Sequence, residues 1–232
     1  MDYNINDIRK YILYEEFLHQ ETFSEADADA YAETLNEEYS ITDFNYAFGA
    51  TKLVIIPEDK DYVIKIPFNA IENCEADPFE DEFYVKFSLA RTANGENFEW
   101  DYCALEEELY SIAKNAGWGK FFLPVKKVKG LEDPYPIYIQ EKAQKFGCHS
   151  CNDKILDDKL RDFCLNYRVR YGSPEWWADV FESLHEDEDD LISFLIFLRK
   201  NEMEDDLHGN NLGYTMNDFP VIVDYAGFKE YS

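Results

Sequence analysis

The sequence predicts an α+β protein, strand-rich in its first half and helical in its second. Three observations carry this. Residues 52–56 and 62–67 are two β-rich apolar runs joined by the polar turn Pro57, Glu58, Asp59, Lys60, Asp61, the pattern of an antiparallel hairpin. A single helical segment near residues 100–113, with Leu105, Leu109, Ile112 and Ala113 on one face, interrupts the strand signals. After Glu141 those signals stop, and residues 142–200 read as mostly helical before a last strand at Val221, Ile222 and Val223.

Residues 1–43 read as an acidic helical extension that packs on the first lobe or meets a partner. Ile8, Tyr11, Ile12, Glu15 and Leu18 fall near a helical period, and Ser24 is placed to cap a second helix through Ala30, Tyr31 and Leu35. Residues 44–141 form the strand-rich lobe, with an acidic, irregular insertion at 69–99 that carries an Asn94-Gly95 turn. Asp101 stands where a carboxylate favours the helix dipole, and Gly117 and Gly119 end that helix. Strand-like runs follow at 121–125 and 135–140. In the helical part, residues 191–198 are apolar nearly all round and predict a central helix.

Charge narrows the function classes. The 232 residues hold 22 Lys and Arg against 49 Asp and Glu, a net charge of -27. Such a surface repels nucleic-acid phosphates, so direct DNA or RNA binding is not expected. It favours basic protein partners, and leaves open a nucleic-acid mimic beside a merely solvated acidic surface. Hydrophobic content of 46%, with 17% aromatics, is ample for a packed core. The polar start at Met1 shows no export signal, and no apolar run approaches the ~20 residues that span a bilayer. A cytoplasmic location follows as the expectation (host cytoplasm for a phage protein), with no membrane partner and with Cys74, Cys103, Cys148, Cys151 and Cys164 as free thiols.

The chemistry-bearing residues cluster late. Asp206, Leu207, His208, Gly209, Asn210 and Asn211 are followed by Asp224, Tyr225, Ala226 and Gly227. Phosphoryl transfer needs an acceptor hydroxyl oriented at the γ-phosphorus, and a carboxylate such as Asp206 does this by accepting its hydrogen bond. Asn211 is a neutral oxygen ligand for Mg²⁺, and Asp224, after an apolar strand, is a hard anionic one. Gly227 permits the tight turn after such an Asp. Upstream, Lys65 sits mid-strand between Ile64 and Ile66, where an ammonium is costly unless it meets an anion. Glu106, with Leu109 and Tyr110 three and four residues on, is the expected helix partner, with Glu107 and Glu108 pointing elsewhere round the helix.

On these residues the chain resembles the protein kinase-like phosphotransferases, and in particular the compact serine/threonine kinases of tailed bacteriophages. The matching passages are Ala47-Phe48-Gly49-Ala50 through Val63-Ile64-Lys65-Ile66, then residues 206–211, then Val221-Ile222-Val223-Asp224; together they span about residues 44–228. The resemblance implies a kinase-like two-lobed fold with a reduced C-terminal lobe at 142–232, and ATP and Mg²⁺ as cofactors. It implies Asp206 and Lys65 as catalytic residues and Asn211 and Asp224 as metal ligands. Gly49, Lys65, Glu106, Glu141, Ala143 and His208 would then contact nucleotide: Glu141 and Ala143 through backbone bonds to adenine, with Gln140 at the gatekeeper position, and His208 where protein kinases carry a phosphate-contacting Lys. The implied activity is transfer to a protein Ser/Thr hydroxyl, on a host protein if the chain is a phage product.

The departures are specific. The glycine-rich loop keeps only Gly49; Glu204 and Asp205 replace the usual His and Arg before the catalytic Asp, adding negative charge beside Asp206; and the sequence stops at Ser232 with no activation segment, as the compact phage kinases also do. They motivate an alternative from another class, an inactive kinase-like acidic protein that inhibits a basic partner. A small-molecule kinase is a third reading, against which Glu204 stands where a His is usual. Two weaker signals are Trp176-Trp177 and the zinc-ligand types Cys148-His149-Ser150-Cys151 with Cys164 and His185, whose second pair lacks the short spacing of a specific zinc site. The tryptophans read either as a partner anchor or as core at a helix start, with Ser173 as cap and Pro174 at the first position.

Overall fold

Local chemistry sets the first elements. In the computed structural model, which describes residues 3–13, 17, 23–49, 51–67, 69–76, 83–90, 101–131, 136–145, 158–169 and 172–226, Asn4 caps a short helix α1 (Ile5–Arg9). This helix ends at Arg9, and Glu15 and Leu18 lie outside the described residues. Beyond it, the Tyr31 hydroxyl donates to the Tyr11 carbonyl at 2.6 Å and accepts from the Leu13 amide at 2.9 Å, so a side chain takes the bonds a longer helix would use. Tyr31 belongs to α2 (Glu25–Glu37), which Ser24 starts with a full capping box to Asp27.

Strand β1 (Phe44–Phe48) leads into β2 (Lys52–Pro57) and β3 (Tyr62–Pro67), the hairpin that the turn at 57–61 predicts. The acidic stretch read as irregular is instead an antiparallel ladder of β4 (Asn69–Ala76) with β5 (Phe83–Ala90), running from Asn69↔Ala90 to Ala76↔Phe83. Its second strand is rich in aromatic and β-branched residues, the composition that favours extended backbone. The Asn94-Gly95 turn lies outside the described residues.

Helix α3 (Tyr102–Asn115) starts at Asp101, whose carboxylate accepts from the amides of Cys103 and Ala104 at 3.1 and 3.0 Å. The run at 121–125 does not form one strand. It splits into a 3-10 turn, Gly119–Phe121, and β6 (Val125–Lys127), with Pro124, which has no amide to give a ladder, at the break. Strands β7 (Tyr138–Glu141) and β8 (Gln144–Lys145) follow, then α4 (Asp158–Asn166), α5 (Pro174–Ser183) and α6 (Glu188–Lys200). A 3-10 turn, Glu204–Asp206, precedes β9 (Leu212–Tyr214) and β10 (Pro220–Ile222).

The fold is thus mixed α+β, with a five-stranded antiparallel sheet ordered β1-β2-β3-β7-β6, a three-stranded sheet β10-β9-β8 and the β4-β5 pair. It divides into two compact units: Met1–Ala104 with Val125–Glu141, and Leu105–Pro124 with Lys142–Ser232. In the first unit, one sheet face (Leu53, Ile55, Ile64, Ile66, Ile139) packs on Ile8, Tyr11, Phe23, Tyr31 and Leu35. The N-terminal helices are therefore the cover of that face rather than an appendage to it. Each such Leu or Ile, fully buried, contributes about 1.5–3 kcal/mol.

The second unit's core is aromatic. Phe194 of α6 meets Trp177, Phe121, Phe122 and Trp118 with ring centroids 4.6–6.3 Å apart. Trp176 and Trp177 are fully buried, with Ser173 capping α5 and Pro174 in its first turn, so the core reading of that pair holds. Helix α6 buries a wide stripe but leaves Ile196 57% exposed, so it is a face-on helix and not one enclosed all round. Among the described residues no helix is long and apolar enough to cross a membrane.

Tyr31→Phe removes one oxygen and leaves a buried amide and a buried carbonyl without it. Urea unfolding is expected to show a loss of about 2 kcal/mol; a loss below about 0.5 kcal/mol would contradict the role given to that hydroxyl.

Candidate functional site

The 206–211 loop is built around one asparagine. Asn211, 8% exposed, donates from Nδ2 to the Asp206 carbonyl at 3.0 Å, closing the loop from within. Its own carbonyl accepts from the Val223 amide at 2.7 Å, which extends the β9-β10 ladder past Leu212↔Ile222. Asp224 is the next residue. Asp206 and Asp224, 18 positions apart in sequence, are thus referred to one residue. With Nδ2 committed, Oδ1 is the Asn211 atom left to face a ligand.

Backbone bonds tighten the rest of the loop. The His208 amide donates to the Asp206 carbonyl at 2.9 Å, and the Asn211 amide donates to the His208 carbonyl at 2.8 Å. His208 Nε2 stands 3.5 Å from Asp206 Oδ1, with the His208 side chain 55% exposed and that of Asp206 only 18%. Asp224 is half-buried. The Phe122 segment makes a parallel bridge to Ile222, and the Tyr225 hydroxyl donates to the Leu123 carbonyl at 2.9 Å, fixing the chain on both sides of Asp224. Ala143 lies against Gly213: a Cβ built on that glycine would stand 2.8 Å from the Gln144 carbonyl oxygen and 3.2 Å from the Ala143 Cβ. The glycine lets β8 and β9 close.

Glu204, the acid that replaces a His in the resemblance, is buried and paired. Arg199 binds it through Nε and, at 2.9 Å, through Nη2, and the same Nη2 reaches the carbonyls of Tyr167 at 2.8 Å and Arg168 at 3.3 Å. Donating its hydrogen bonds to the Glu204 carboxylate raises the Arg199 pKa, which keeps the guanidinium charged. Glu204 therefore faces a cation instead of adding a bare charge beside Asp206. Asp205 is exposed. Nothing in the sequence paired Arg199 with Glu204, although their spacing of five across a helix end was visible.

The first unit holds Gly49, Lys65 and Glu141. Lys65 is 3% exposed and pairs across the sheet with Val54 and Tyr138, on the face opposite the apolar core. The start of α3 lies on that face, where Cys103 packs on Val125 and Tyr138, and the Tyr138 hydroxyl donates to Asp101 at 2.7 Å. Along α3, Cys103, Glu106, Leu109 and Ala113 share the buried stripe, and Glu106 is fully buried, whereas Glu107 is half-buried and Glu108 exposed. Gly49 is exposed; its amide donates to the Lys52 carbonyl at 3.0 Å, and an added Cβ there would meet nothing closer than that oxygen at 3.8 Å. Gln140 is fully buried and Glu141 exposed. Lys52, 4% exposed, is a second buried lysine, with no sequence signal of its own.

Gly227, Cys148, His149 and Cys151 lie outside the described residues. Burial pushes the Cys164 thiol up, which favours the neutral form over a metal-binding thiolate. Among the described residues no three His, Cys, Asp or Glu side chains form a metal cage. A carboxamide and a carboxylate at one hairpin end are hard oxygen donors, a set that suits Mg²⁺ completed by waters and phosphate oxygens. No protein-family model and no curated protein sequence matches the chain.

Arg199→Met leaves Glu204 buried beside two carbonyls that have lost a donor. Because Arg199 is itself 37% exposed, water relieves part of the loss, and urea unfolding should show about 1–3 kcal/mol of destabilisation, partly recovered in Arg199→Met/Glu204→Leu. An unchanged midpoint would show that the pair does not hold the loop.

Proposed function

We propose that this protein binds Mg-ATP and transfers the γ-phosphoryl group to a protein Ser/Thr hydroxyl. The observation that carries the proposal is the double role of Asn211, whose side chain holds the Asp206 carbonyl and whose backbone holds the strand leading to Asp224. A proton-accepting carboxylate and a metal-binding carboxylate tied to one frame is what in-line phosphoryl transfer needs.

In this scheme the acceptor oxygen attacks the γ-phosphorus while its bond to the β–γ bridging oxygen breaks, releasing ADP. Asp206 accepts the hydrogen bond of the acceptor hydroxyl and takes its proton as the new P–O bond forms. Mg²⁺, when bound through Asn211 and Asp224, supplies positive charge to the phosphate oxygens. Lys65 is assigned to the phosphates, with Glu106 as the carboxylate assigned to pair with it. His208 is assigned to phosphate contact, and the backbone of Glu141 and Ala143 to adenine. A host protein as acceptor belongs to the same proposal for a phage product.

The second reading keeps nucleotide binding or loses it, but has no turnover: an acidic kinase-like protein that blocks a basic partner. The net charge of -27 favours it. Melting with and without Mg-ATP, followed by incubation with labelled ATP and cell extract, separates the two. ATP at 100 times its Kd is expected to stabilise wild type by about 2.7 kcal/mol, an effect lost in Lys65→Met and Asp224→Asn. Asp206→Asn should keep that shift and lose at least roughly 100-fold of labelling. No melting shift would sink nucleotide binding. A shift without label on any protein, including this one, would leave the inhibitor.

Gly49 offers a cleaner probe of the phosphate loop. Its surroundings accept a Cβ, so Gly49→Ala should leave unfolding unchanged or raise stability by up to about 1 kcal/mol. If ATP approaches that turn closely, the same change weakens ATP binding; equal affinity in the variant would remove Gly49 from the site.

A further inference from the structure

The first unit has a cleft with an acidic rim and a tyrosine at its floor. Asp7 of α1, Asp59, Lys60 and Asp61 of the β2-β3 turn, Tyr62 at the start of β3 and Glu141 at the end of β7 line a space of about 440 Å³. That is within the size range of small-ligand sites. Asp59, Asp61 and Glu141 are exposed, so the cleft opens to solvent along them.

Tyr62 is 5% exposed, and its hydroxyl is buried with no hydrogen-bond partner. The register sets Tyr62 opposite Glu141, so both side chains stand on one face of the sheet. It is the face that carries Ile64 and that α1 covers, which brings Asp7 to the same corner. Burial raises the pKa of the Tyr62 phenol; Lys60 draws it back, and Asp7 and Asp59 raise it again. The charges felt by the hydroxyl are thus those lining the cleft. A buried hydroxyl with no partner is costly, and a ligand that supplies one removes that cost.

The rim already holds one cation. The Lys60 ammonium bridges Asp7 at 3.0 Å and Asp59 at 3.2 Å. Asp61 and Glu141 have no ion pair among the described residues. Four carboxylates therefore face one lysine, which repels anions and favours a second cation. Among the described residues these carboxylates do not converge as a metal cage. Acceptors spread round a rim, with one more at the floor, suit a planar cation with donors on several edges. A guanidinium has five such donors and sheds water readily; an ammonium has three and holds its water.

We propose that this cleft binds a guanidinium group, with Asp61 and Glu141 accepting at the rim and the Tyr62 hydroxyl accepting at the floor. The group is either an arginine side chain of a basic protein or a free alkylguanidine. The inference goes beyond the nucleotide reading and does not rest on it: the backbone of Glu141 is assigned to adenine there, and only its side chain is used here.

Calorimetric titration of the full chain without nucleotide, at low salt, tests this. The probes are a blocked tripeptide with arginine between two glycines, its lysine and citrulline counterparts, and butylguanidine. Wild type is expected to bind the arginine peptide or butylguanidine and not the citrulline peptide, which keeps the shape and lacks the charge. Tyr62→Phe should weaken binding roughly 10-fold and melt no lower than wild type, because no protein hydrogen bond goes with the oxygen. Asp61→Asn should weaken binding about 2- to 5-fold. Tighter binding of the arginine peptide than of butylguanidine assigns the site to a protein arginine, and the reverse or equality assigns it to a small cation; both support it. Binding by Tyr62→Phe within about 2-fold of wild type would show attraction by the acidic surface alone, and the inference fails. It fails equally if the lysine peptide binds as well as the arginine peptide, if neither guanidinium probe binds, or if Tyr62→Phe melts early. None of these outcomes alters the Mg-ATP test.

Discussion

Asn211 is the residue on which the second unit's candidate site depends. Its carboxamide closes the loop from Asp206, and its backbone carbonyl continues the hairpin that delivers Asp224. Few residue types can do both. An aspartate in its place lacks the donor; a leucine would leave the Asp206 carbonyl unmatched in a site that is mostly buried. The surroundings serve the same end. Gly213 lets β8 and β9 approach, the Tyr225 hydroxyl holds the chain after Asp224, and Arg199 fixes the turn that carries Asp206 by gripping Glu204. Three separate sequence regions thus set the positions of two carboxylates.

The first unit is organised by a sheet with two unlike faces. One is covered by α1, α2 and the segment that Tyr31 ties down, and gains from apolar burial. The other carries two buried lysines and the start of α3. Burying ammonium groups opposes folding, and the apolar face gives the sheet stability enough to carry that cost. Apolar packing and polar burial are so divided between opposite sides of the same strands, and alternation within a strand does the dividing.

Much of this was legible where a local rule acts alone. The β2-β3 hairpin followed from apolar runs around a charged turn, α5 from Ser173 and Pro174, and the mixed α+β class from the order of such segments. The β4-β5 pair was hidden because its acidic residues and flanks look like loop, although residues 83–90 alone have strand composition. The break after α1 is not legible because Tyr31, 20 residues from Tyr11, takes the Tyr11 carbonyl, and no local window contains both. Lys52 was passed over for a related reason. A lysine beside a turn looks solvated until the register sets it diagonal to Lys65. The Arg199–Glu204 pair offsets the negative charge next to Asp206, and it joins a helix end to a turn that no periodicity links.

In the proposed function Asn211 and Asp224 hold a nucleotide-linked metal, and Asn211 ties the loop of Asp206 to it. Electron paramagnetic resonance of Mn²⁺, which shares the oxygen preference of Mg²⁺, reads this without requiring turnover. Titrating the protein into Mn-ATP should give a protein-dependent bound-metal spectrum in wild type that disappears in Asp224→Ala. A spectrum indifferent to the protein, or one that persists in Asp224→Ala, would contradict the account.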